Sequence, residues 1–345
     1  MRISVLEQAI AALDRPNRET ITNAVDLAVH CEALGYNRFW VSEHHNNQTI
    51  VGTAPEILMA AIASKTKTIR VGSAGIMLPH YSAFKVAEQF RVLDSLAPGR
   101  IDLGLGRAPG SDGRTAFALN PLANERPAQF PSDVRDLVAW VTGGPLIDKH
   151  PFGALEAFPK GDTAPEVWIL GSSNYGAQIA AHFGLPYCFA WFFSDGRGAA
   201  EAVEIYRRSF QPSNLCQEPY VGLCVWAFAA ETEEEAQFHY SSRAKWKIFR
   251  ERGLFLPIEP PEVALQQEYD GRERERLERD RATAFIGTPS KVMEQLKCLG
   301  AEMAIDEMAL VAWVYDEDVR RKSFSLIANA ADLPKLESGA QASSA

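Results

Sequence analysis

Apolar residues along this chain fall into two alternating patterns. Short runs of valine, isoleucine, leucine and aromatic residues predict buried strands, and longer segments with apolar residues every three to four positions predict helices. The first pair is a strand at residues 3–6 and a helix at residues 20–34, which Gly35 is suited to end. The other predicted strands are 37–41, 69–78, 101–105, 167–170, 187–193, 221–229 and 307–315, and the other predicted helices are 55–64, 82–96, 131–141, 175–183, 198–210, 231–250, 289–299 and 318–330.

This rhythm gives eight strands, each followed by a helix. Alternation of strands and helices with short connections predicts a parallel sheet, and eight repeats predict a closed (β/α)8 TIM barrel. The alternative is an open, doubly wound sheet. No G-x-G-x-x-G motif follows the first strand, which counts against that alternative.

Two segments interrupt the rhythm. A loop insertion at about residues 108–130 follows strand four, and a helical, charged insertion at about residues 231–284 follows strand seven. Both would lie at the carboxyl ends of the strands, where barrel enzymes carry their active sites. The alternating charges at residues 271–281 are typical of a solvated helical face. We expect one domain at residues 1–335 and a disordered tail at residues 336–345.

Composition and charge narrow the functional classes. The chain has 46% hydrophobic and 23% charged residues, as soluble globular proteins do, and a formal net charge of −9. That charge argues against a nucleic-acid binder and against attraction to an anionic membrane. The five cysteines are scattered without a C-x-x-C pair, which suits reduced thiols. With no signal peptide and no long apolar run, a cytoplasmic protein is expected.

The first candidate site is the sequence Glu43-His44-His45 at the end of strand two. Side chains at that position of a barrel surround the mouth. Histidine and glutamate can serve as acid/base groups or as metal ligands, and His80 would be a third histidine for a metal-dependent hydrolase. The structural alternative is a hydrogen-bonded pair that fixes the following loop.

Two further candidates come from small residues at strand ends. Residues 71–79 (VGSAGIMLP) contain Ala74 and Gly75, which would leave a flat floor for a planar ring or, equally, let barrel layers pack tightly. Arg107 follows strand four beside Gly106. Its guanidinium is suited to a phosphate or a carboxylate.

The fourth candidate is an anion site at the end of strand five. Gly171, Ser172 and Ser173 immediately precede a predicted helix, and one of the serines would cap it. The free N–H groups of the helix, its positive dipole end and the hydroxyls together favour a phosphate monoester. A plainly capped helix would not require both serines.

Aromatic residues crowd the ends of the later strands. Such residues are most often core, but at the mouth of a barrel they would wall an apolar pocket. They are Trp191, Phe192, Phe193, Trp226, Phe228, Trp313 and Tyr315.

Taken in order, several motifs resemble the bacterial-luciferase-like flavin-dependent monooxygenases. They are residues 35–45 (GYNRFWVSEHH), 72–79 (GSAGIMLP), 98–107 (PGRIDLGLGR), 171–173 (GSS), 285–296 (FIGTPSKVMEQL) and 306–308 (DEM). The likeness covers nearly the whole predicted barrel. The bulky aromatics at residues 191–193 depart from the family pattern of histidine or smaller residues, and would narrow the mouth.

The resemblance implies a function that the residues alone do not. Members of this family use reduced FMN, supplied by a separate reductase, or a related deazaflavin, to oxygenate a small organic substrate with O2. Many members form dimers through early helices.

The same resemblance implies roles for particular residues. His44 would be the catalytic acid/base and Glu43 a nearby contact. Ala74 and Gly75 would lie under the flavin ring, and Arg107, Gly171, Ser172 and Ser173 would hold the phosphate. We therefore predict an FMN-dependent monooxygenase; the alternatives are a deazaflavin-dependent oxidoreductase and a flavin-binding barrel without catalysis.

Overall fold

The computed structural model describes residues 1–108, 110–123 and 125–335. The predicted tail at residues 336–345 lies outside the described residues. The strands are β1 (Arg2–Glu7), β2 (Arg38–Val41), β3 (Arg70–Ser73), β4 (Ile76–Met77), β5 (Ile101–Gly106), β6 (Glu166–Gly171), β7 (Tyr187–Ala190), β8 (Val221–Ala229), β9 (Phe285–Gly287) and β10 (Glu307–Val311). The helices are α1 (Asn17–Ala33), α2 (Pro55–Lys65), α3 (Ala83–Leu96), α4 (Gly113–Leu119), α5 (Phe130–Thr142), α6 (Asn174–Phe183), α7 (Ala199–Ser209), α8 (Glu233–Glu251), α9 (Pro261–Ala264), α10 (Gly271–Thr283), α11 (Pro289–Glu302) and α12 (Glu317–Ala330).

Eight parallel strands close into a barrel. The order around it is β10, β1, β2, β3, β5, β6, β7 and β8, and β8 pairs back to β10. At the closure, Glu307 lies in register with both Arg2 of β1 and Gly222 of β8. A doubly wound sheet would have two open edges, so the predicted TIM barrel is confirmed and the alternative is wrong.

Three predicted strands end earlier than expected, all at the mouth of the barrel. The strand predicted at 69–78 is split into β3 and β4 by a cis peptide bond between Ala74 and Gly75. β7 ends at Ala190, and the next three residues form a 3-10 turn instead of more strand. β10 likewise ends at Val311. At the mouth the chain no longer pairs with the neighbouring strands, and its apolar residues line cavities there instead.

A seam of glycines lets β3 and β5 approach each other. A Cβ at Gly104 would collide with the carbonyl oxygen of Ser73, and one at Gly75 would lie 2.8 Å from the carbonyl oxygen of Gly104. A Cβ at Gly72 would lie 2.6 Å from the Asp102 Cβ. Because most of these neighbours are backbone atoms, the collisions cannot be relieved by a side-chain rotation.

Charged side chains fill the amino-terminal end of the barrel. Arg38 on β2 has a side chain that is 3% exposed and forms ion pairs with Asp102 (2.8 Å), Glu307 (3.0 Å) and Glu166 (3.1 Å). Trp40 donates its indole N–H to Asp102 at 2.9 Å. These carboxylates raise the pKa of Arg38, although burial opposes that shift. The network lies away from the mouth and its role is structural.

The first predicted insertion is more regular than the sequence suggested, and the second is helical, as predicted. The segment at 108–130 was expected to be a loop, but Asp112 caps helix α4 there by accepting hydrogen bonds from the N–H groups of Arg114 and Thr115. The charged run is helix α10, which begins with a capping box between Asp270 and Glu273. Most of α10 is exposed, as predicted. The single-domain boundary at 1–335 stays a prediction.

No helix within the described residues is both long enough and apolar enough to span a membrane.

Candidate functional site

A cavity of about 290 Å³, which we call the inner cavity, opens at the carboxyl ends of the strands. It brings together residues from seven consecutive strands of the barrel, β1 to β8 with β3 and β4 counted as one, at the end where barrel enzymes carry their active sites. Seven of the eight predicted site residues line this cavity. They are His44, Ala74, Gly75, Arg107, Gly171, Ser172 and Ser173.

His44 follows β2 and is half-buried in the cavity wall. Burial lowers the pKa of its imidazole to about 4, although the nearby Glu43 carboxylate opposes the shift. At neutral pH the ring is therefore uncharged. Its Nδ1 shares a hydrogen bond of 3.3 Å with the Ser42 hydroxyl. A serine O–H donating to Nδ1 leaves the proton on Nε2.

Glu43, the eighth predicted residue, is fully buried and is not among the residues lining the cavity. Its carboxylate accepts hydrogen bonds from the Met77 backbone N–H at 2.9 Å, the Tyr81 hydroxyl at 2.6 Å and the His45 ring at 2.7 Å. Glu43 thus ties the end of β2 to the segment after the cis peptide bond. The hydrogen bond between Glu43 and His45 is of the kind expected if these residues were a structural pair that fixes the following loop.

Three donors surround one end of the cavity. Ser173 occupies the N-cap position of α6, but its hydroxyl makes no capping hydrogen bond, contrary to expectation. Ser172 and Ser173 are both exposed to the cavity. The Arg107 guanidinium stacks over the Tyr175 ring at 4.0 Å and forms no ion pair with a described residue. With the first N–H groups of α6, these side chains can bind an anion.

Ala74 and Gly75 line another part of the same cavity, and both predicted interpretations apply to them. A Cβ at Gly75 would point into β5 and away from open space, so tight barrel packing explains this glycine. The backbone at 74–75 nevertheless lines the cavity and presents no bulky side chain to it. Gly171 differs, since a Cβ there would meet the Gly176 Cα at an ordinary 3.8 Å.

A second, larger cavity of about 590 Å³ adjoins the first, and we call it the outer chamber. The two share Gln8, His44, Gly110, Phe192 and Phe193, so His44 faces both. Among the aromatic residues predicted as pocket walls, Phe192, Phe193, Trp226 and Trp313 line the chamber. Phe228 is fully buried in the core, and Trp191 and Tyr315 line neither cavity.

The basic residues of the outer chamber were not predicted from the sequence. Arg243, Lys247 and Arg250 line it from one face of α8, and Arg276 lines it from α10. The sequence signal that could have grouped the three α8 residues is their spacing of four and then three residues, because positions i, i+4 and i+7 share one face of a helix. In the sequence they belong to a long charged helix, where such spacing also describes a solvated face.

The described parts of the chain contain no group of three or more histidine, cysteine, aspartate or glutamate side chains placed to hold a metal ion. His45 and His80 lie edge to face, with ring centroids 5.9 Å apart.

Comparison of the chain with known protein families identifies its family. The family model of luciferase-like monooxygenases matches residues 1–307. The chain therefore belongs to the luciferase-like monooxygenase family, a family of oxidoreductases, and the predicted resemblance is confirmed.

The alignments with two curated relatives cover nearly the full length of both chains. A luciferase-like monooxygenase of Escherichia coli (strain K12) is 36% identical, with 90% of each chain covered. The N-acetyl-S-alkylcysteine monooxygenase of Bacillus subtilis (strain 168) is 34% identical, covering 96% of this chain and 98% of the relative.

Solved structures share the fold. Apo-MsnO8 is 30% identical with a TM-score of 0.85, covering 97% of this chain and 99% of its own. The oxygenating constituent of 3,6-diketocamphane monooxygenase from Pseudomonas putida, in complex with FMN, has a TM-score of 0.70 at 19% identity, covering 97% and 98%. An F420-dependent secondary alcohol dehydrogenase has a TM-score of 0.65 at 16% identity, covering 95% and 98%.

Proposed function

We propose that this protein is a monooxygenase that uses reduced FMN and O2 to oxygenate a small organic substrate. The observation that carries the proposal is the composition of the inner cavity. Its lining includes hydrogen-bond donors suited to an anion at Arg107 and Ser172, the backbone of Ala74 and Gly75 without a bulky side chain, and a neutral histidine, His44. A phosphorylated planar ring system matches that arrangement.

Each of these parts of the lining matches one part of FMN. Arg107, Ser172 and Ser173 would hold the phosphate, with the N-terminus of α6 behind them. The ring would lie against Ala74 and Gly75, next to His44. Reduced FMN supplies two electrons to oxygen when bound. His44 would hold or move the proton that this chemistry needs, and an anionic ring beside it would raise its pKa toward neutrality.

Glu43 is proposed as a positioning residue. It is buried beneath the cavity, where it fixes His45 and the Met77 N–H. Its hydrogen bonds hold the backbone on both sides of the proposed ring site.

FMN and a deazaflavin remain the two cofactor candidates because both occur among the similar folds, one in the Pseudomonas putida enzyme and one in the F420-dependent dehydrogenase. An anaerobic titration of the full chain with reduced FMN, followed by admission of oxygen, tests the choice. Saturable binding and rapid oxygen uptake are expected. Binding with no faster oxygen uptake than free reduced FMN would favour a non-catalytic flavin barrel, and preference for F420 would favour the deazaflavin enzyme.

Arg107→Ala is expected to weaken FMN binding about 10- to 100-fold, since it removes a charge-assisted hydrogen bond to the phosphate. Riboflavin lacks the phosphate, so its affinity should be the same in the variant and the wild type. Fluorescence titration with both flavins measures the difference.

Arg114→Ala is the matched control for that experiment, because Arg114 is exposed on nearby α4 and does not line the inner cavity. Equal losses of riboflavin and FMN affinity in the Arg107 variant would contradict a phosphate contact.

The proposal includes a separate flavin reductase and a homodimer in the cytoplasm. Exposed aliphatic side chains on neighbouring early helices support the dimer: Ile57 on α2 is 69% exposed and Leu96 on α3 is 62% exposed. Sedimentation of the purified chain tests it.

A further inference from the structure

Arg243 is a buried cation without an ion-pair partner among the described residues. Its side chain lines the outer chamber, and the residue is only 7% exposed. It forms no hydrogen bond or ion pair with any residue in the described ranges; its recorded contact is the Trp226 ring, with the guanidinium 4.3 Å from the ring centroid. Stacking uses the face of a guanidinium and leaves the N–H donors along its edge.

Two of the other three cations that line the chamber are already paired with carboxylates, and the third, Arg250, is less buried than Arg243. Lys247 pairs with Asp280 at 2.8 Å and with Asp195 at 3.2 Å. Arg276 pairs with the same two carboxylates at 3.2 and 3.3 Å. These pairs occupy Asp195 and Asp280, so Arg243 is the buried arginine of the chamber that forms no ion pair of its own with a described residue.

Keeping such a charge out of water is unfavourable unless something pairs with it. Burial lowers the pKa of Arg243 below its ordinary value, although Tyr240 and the carboxylates of Asp195 and Asp280 oppose that shift. The indole N–H of Trp226, beside the guanidinium, also lacks an acceptor among the described residues. An acceptor on a bound ligand would satisfy the guanidinium donors that face the chamber.

We propose that Arg243 binds a single negative charge on the substrate, a carboxylate or sulfonate, while the apolar remainder lies along the aromatic wall toward His44. The inference rests on the proposed monooxygenase function, because it specifies the substrate class of that site. The chamber meets the inner cavity at His44, so a substrate held by Arg243 extends toward the proposed flavin.

The charges of the chamber favour a monoanion over a phosphate dianion. The buried, unpaired guanidinium of Arg243 compensates one charge, and the other unpaired guanidinium, that of Arg250, is more exposed to solvent. A second negative charge on the ligand would face Asp195 and Glu251, which also line the chamber. Trp226, Trp246 and Trp313 offer apolar surface to the rest of the molecule. A substrate with one oxyanion and an apolar chain matches both features.

Calorimetric titration with octanoate tests the inference, using the full chain both free of FMN and saturated with it. Octanoate is expected to bind more tightly than octanol, and octylammonium most weakly. Arg243→Met should reduce octanoate affinity about 10- to 100-fold and leave octanol affinity unchanged. Comparison of octanesulfonate with octanoate shows which of the two monoanions binds more tightly. Octyl phosphate should bind more weakly than octanoate at pH 8, where octyl phosphate is a dianion.

Two variants control for position and for folding. Arg250→Met removes a cation from the same chamber that is less buried and lies over Trp246, and should weaken octanoate less than about fivefold. Arg243→Lys restores the charge and should recover part of the lost affinity. Arg243→Met is expected to keep or raise the melting temperature, because it removes a buried charge that forms no ion pair of its own with a described residue.

The possible outcomes separate this inference from the proposed function. Equal binding of octanoate and octanol, unchanged octanoate affinity in Arg243→Met, or lost affinity together with a lowered melting temperature would overturn the role of Arg243. Tighter binding of octyl phosphate than of octanoate would overturn the monoanion. If octanoate does not bind a chain that binds FMN, the inference fails alone. If octanoate binds a chain that does not bind FMN, the flavin function fails alone.

Discussion

His44→Asn is expected to slow the oxidation of bound reduced FMN by oxygen about 100- to 10,000-fold, the range that general acid/base catalysis contributes. The imidazole faces both cavities and is uncharged at neutral pH, so it can exchange a proton there. FMN affinity should change little, because the phosphate-binding residues are untouched. Stopped-flow mixing of the reduced complex with oxygen measures the rate, and the wild-type pH profile should contain a titration that the variant lacks.

His45→Asn is the matched control. His45 is the adjacent histidine, and its Nε2 is already hydrogen-bonded to Glu43 at 2.7 Å. We expect a smaller change in rate and a lower melting temperature. Equal rates in the His44 variant and the wild type would remove the catalytic role of His44, whereas equal losses in both variants would point to a shared effect on the loop.

Arg38→Met is expected to reduce the free energy of unfolding by about 3–5 kcal/mol, because it leaves the buried Glu307 without a counter-ion and Asp102 with Arg70 alone. Asp102 and Glu307 have side chains that are 0% and 2% exposed, and both lose a direct ion pair. Urea unfolding monitored by circular dichroism measures the loss.

Arg70→Met provides the comparison for the Arg38 experiment. Arg70 also pairs with Asp102, but its side chain is 23% exposed. Solvent screens that pair, and a loss of about 1 kcal/mol is expected. If the two variants were equally unstable, burial would not be what makes the Arg38 network important.

The fold was largely predictable because barrel strands are buried on both faces and appear as continuous apolar runs. The strand at 221–229 was predicted with its observed bounds, for example. Errors concentrated at the mouth, where 191–193 and 312–315 keep an apolar composition but leave the sheet. In these segments the apolar composition shows only that the residues are buried. The sequence pattern does not distinguish burial against a cavity from burial in a sheet.

The inner cavity was more predictable than the outer chamber. Residues such as Arg107 and Ser172 directly follow strands, and closure of the barrel places all strand ends together. Arg243 lies in the middle of α8, and its burial depends on how α8 packs against α10 and the mouth. The chain shows its charge but gives no sign that this arginine, unlike Lys245 and its partner Glu259, lacks an ion pair.

The glycine seam between β3 and β5 limits how this barrel can evolve. At Gly104 and Gly75 an added methyl group meets backbone atoms, so neither position can change one step at a time without moving two strands. The aromatic turn at 191–193 has no such restriction, since Phe193 is 48% exposed. Mutational libraries aimed at new substrates should therefore vary the turn and the α8 face while leaving the seam intact.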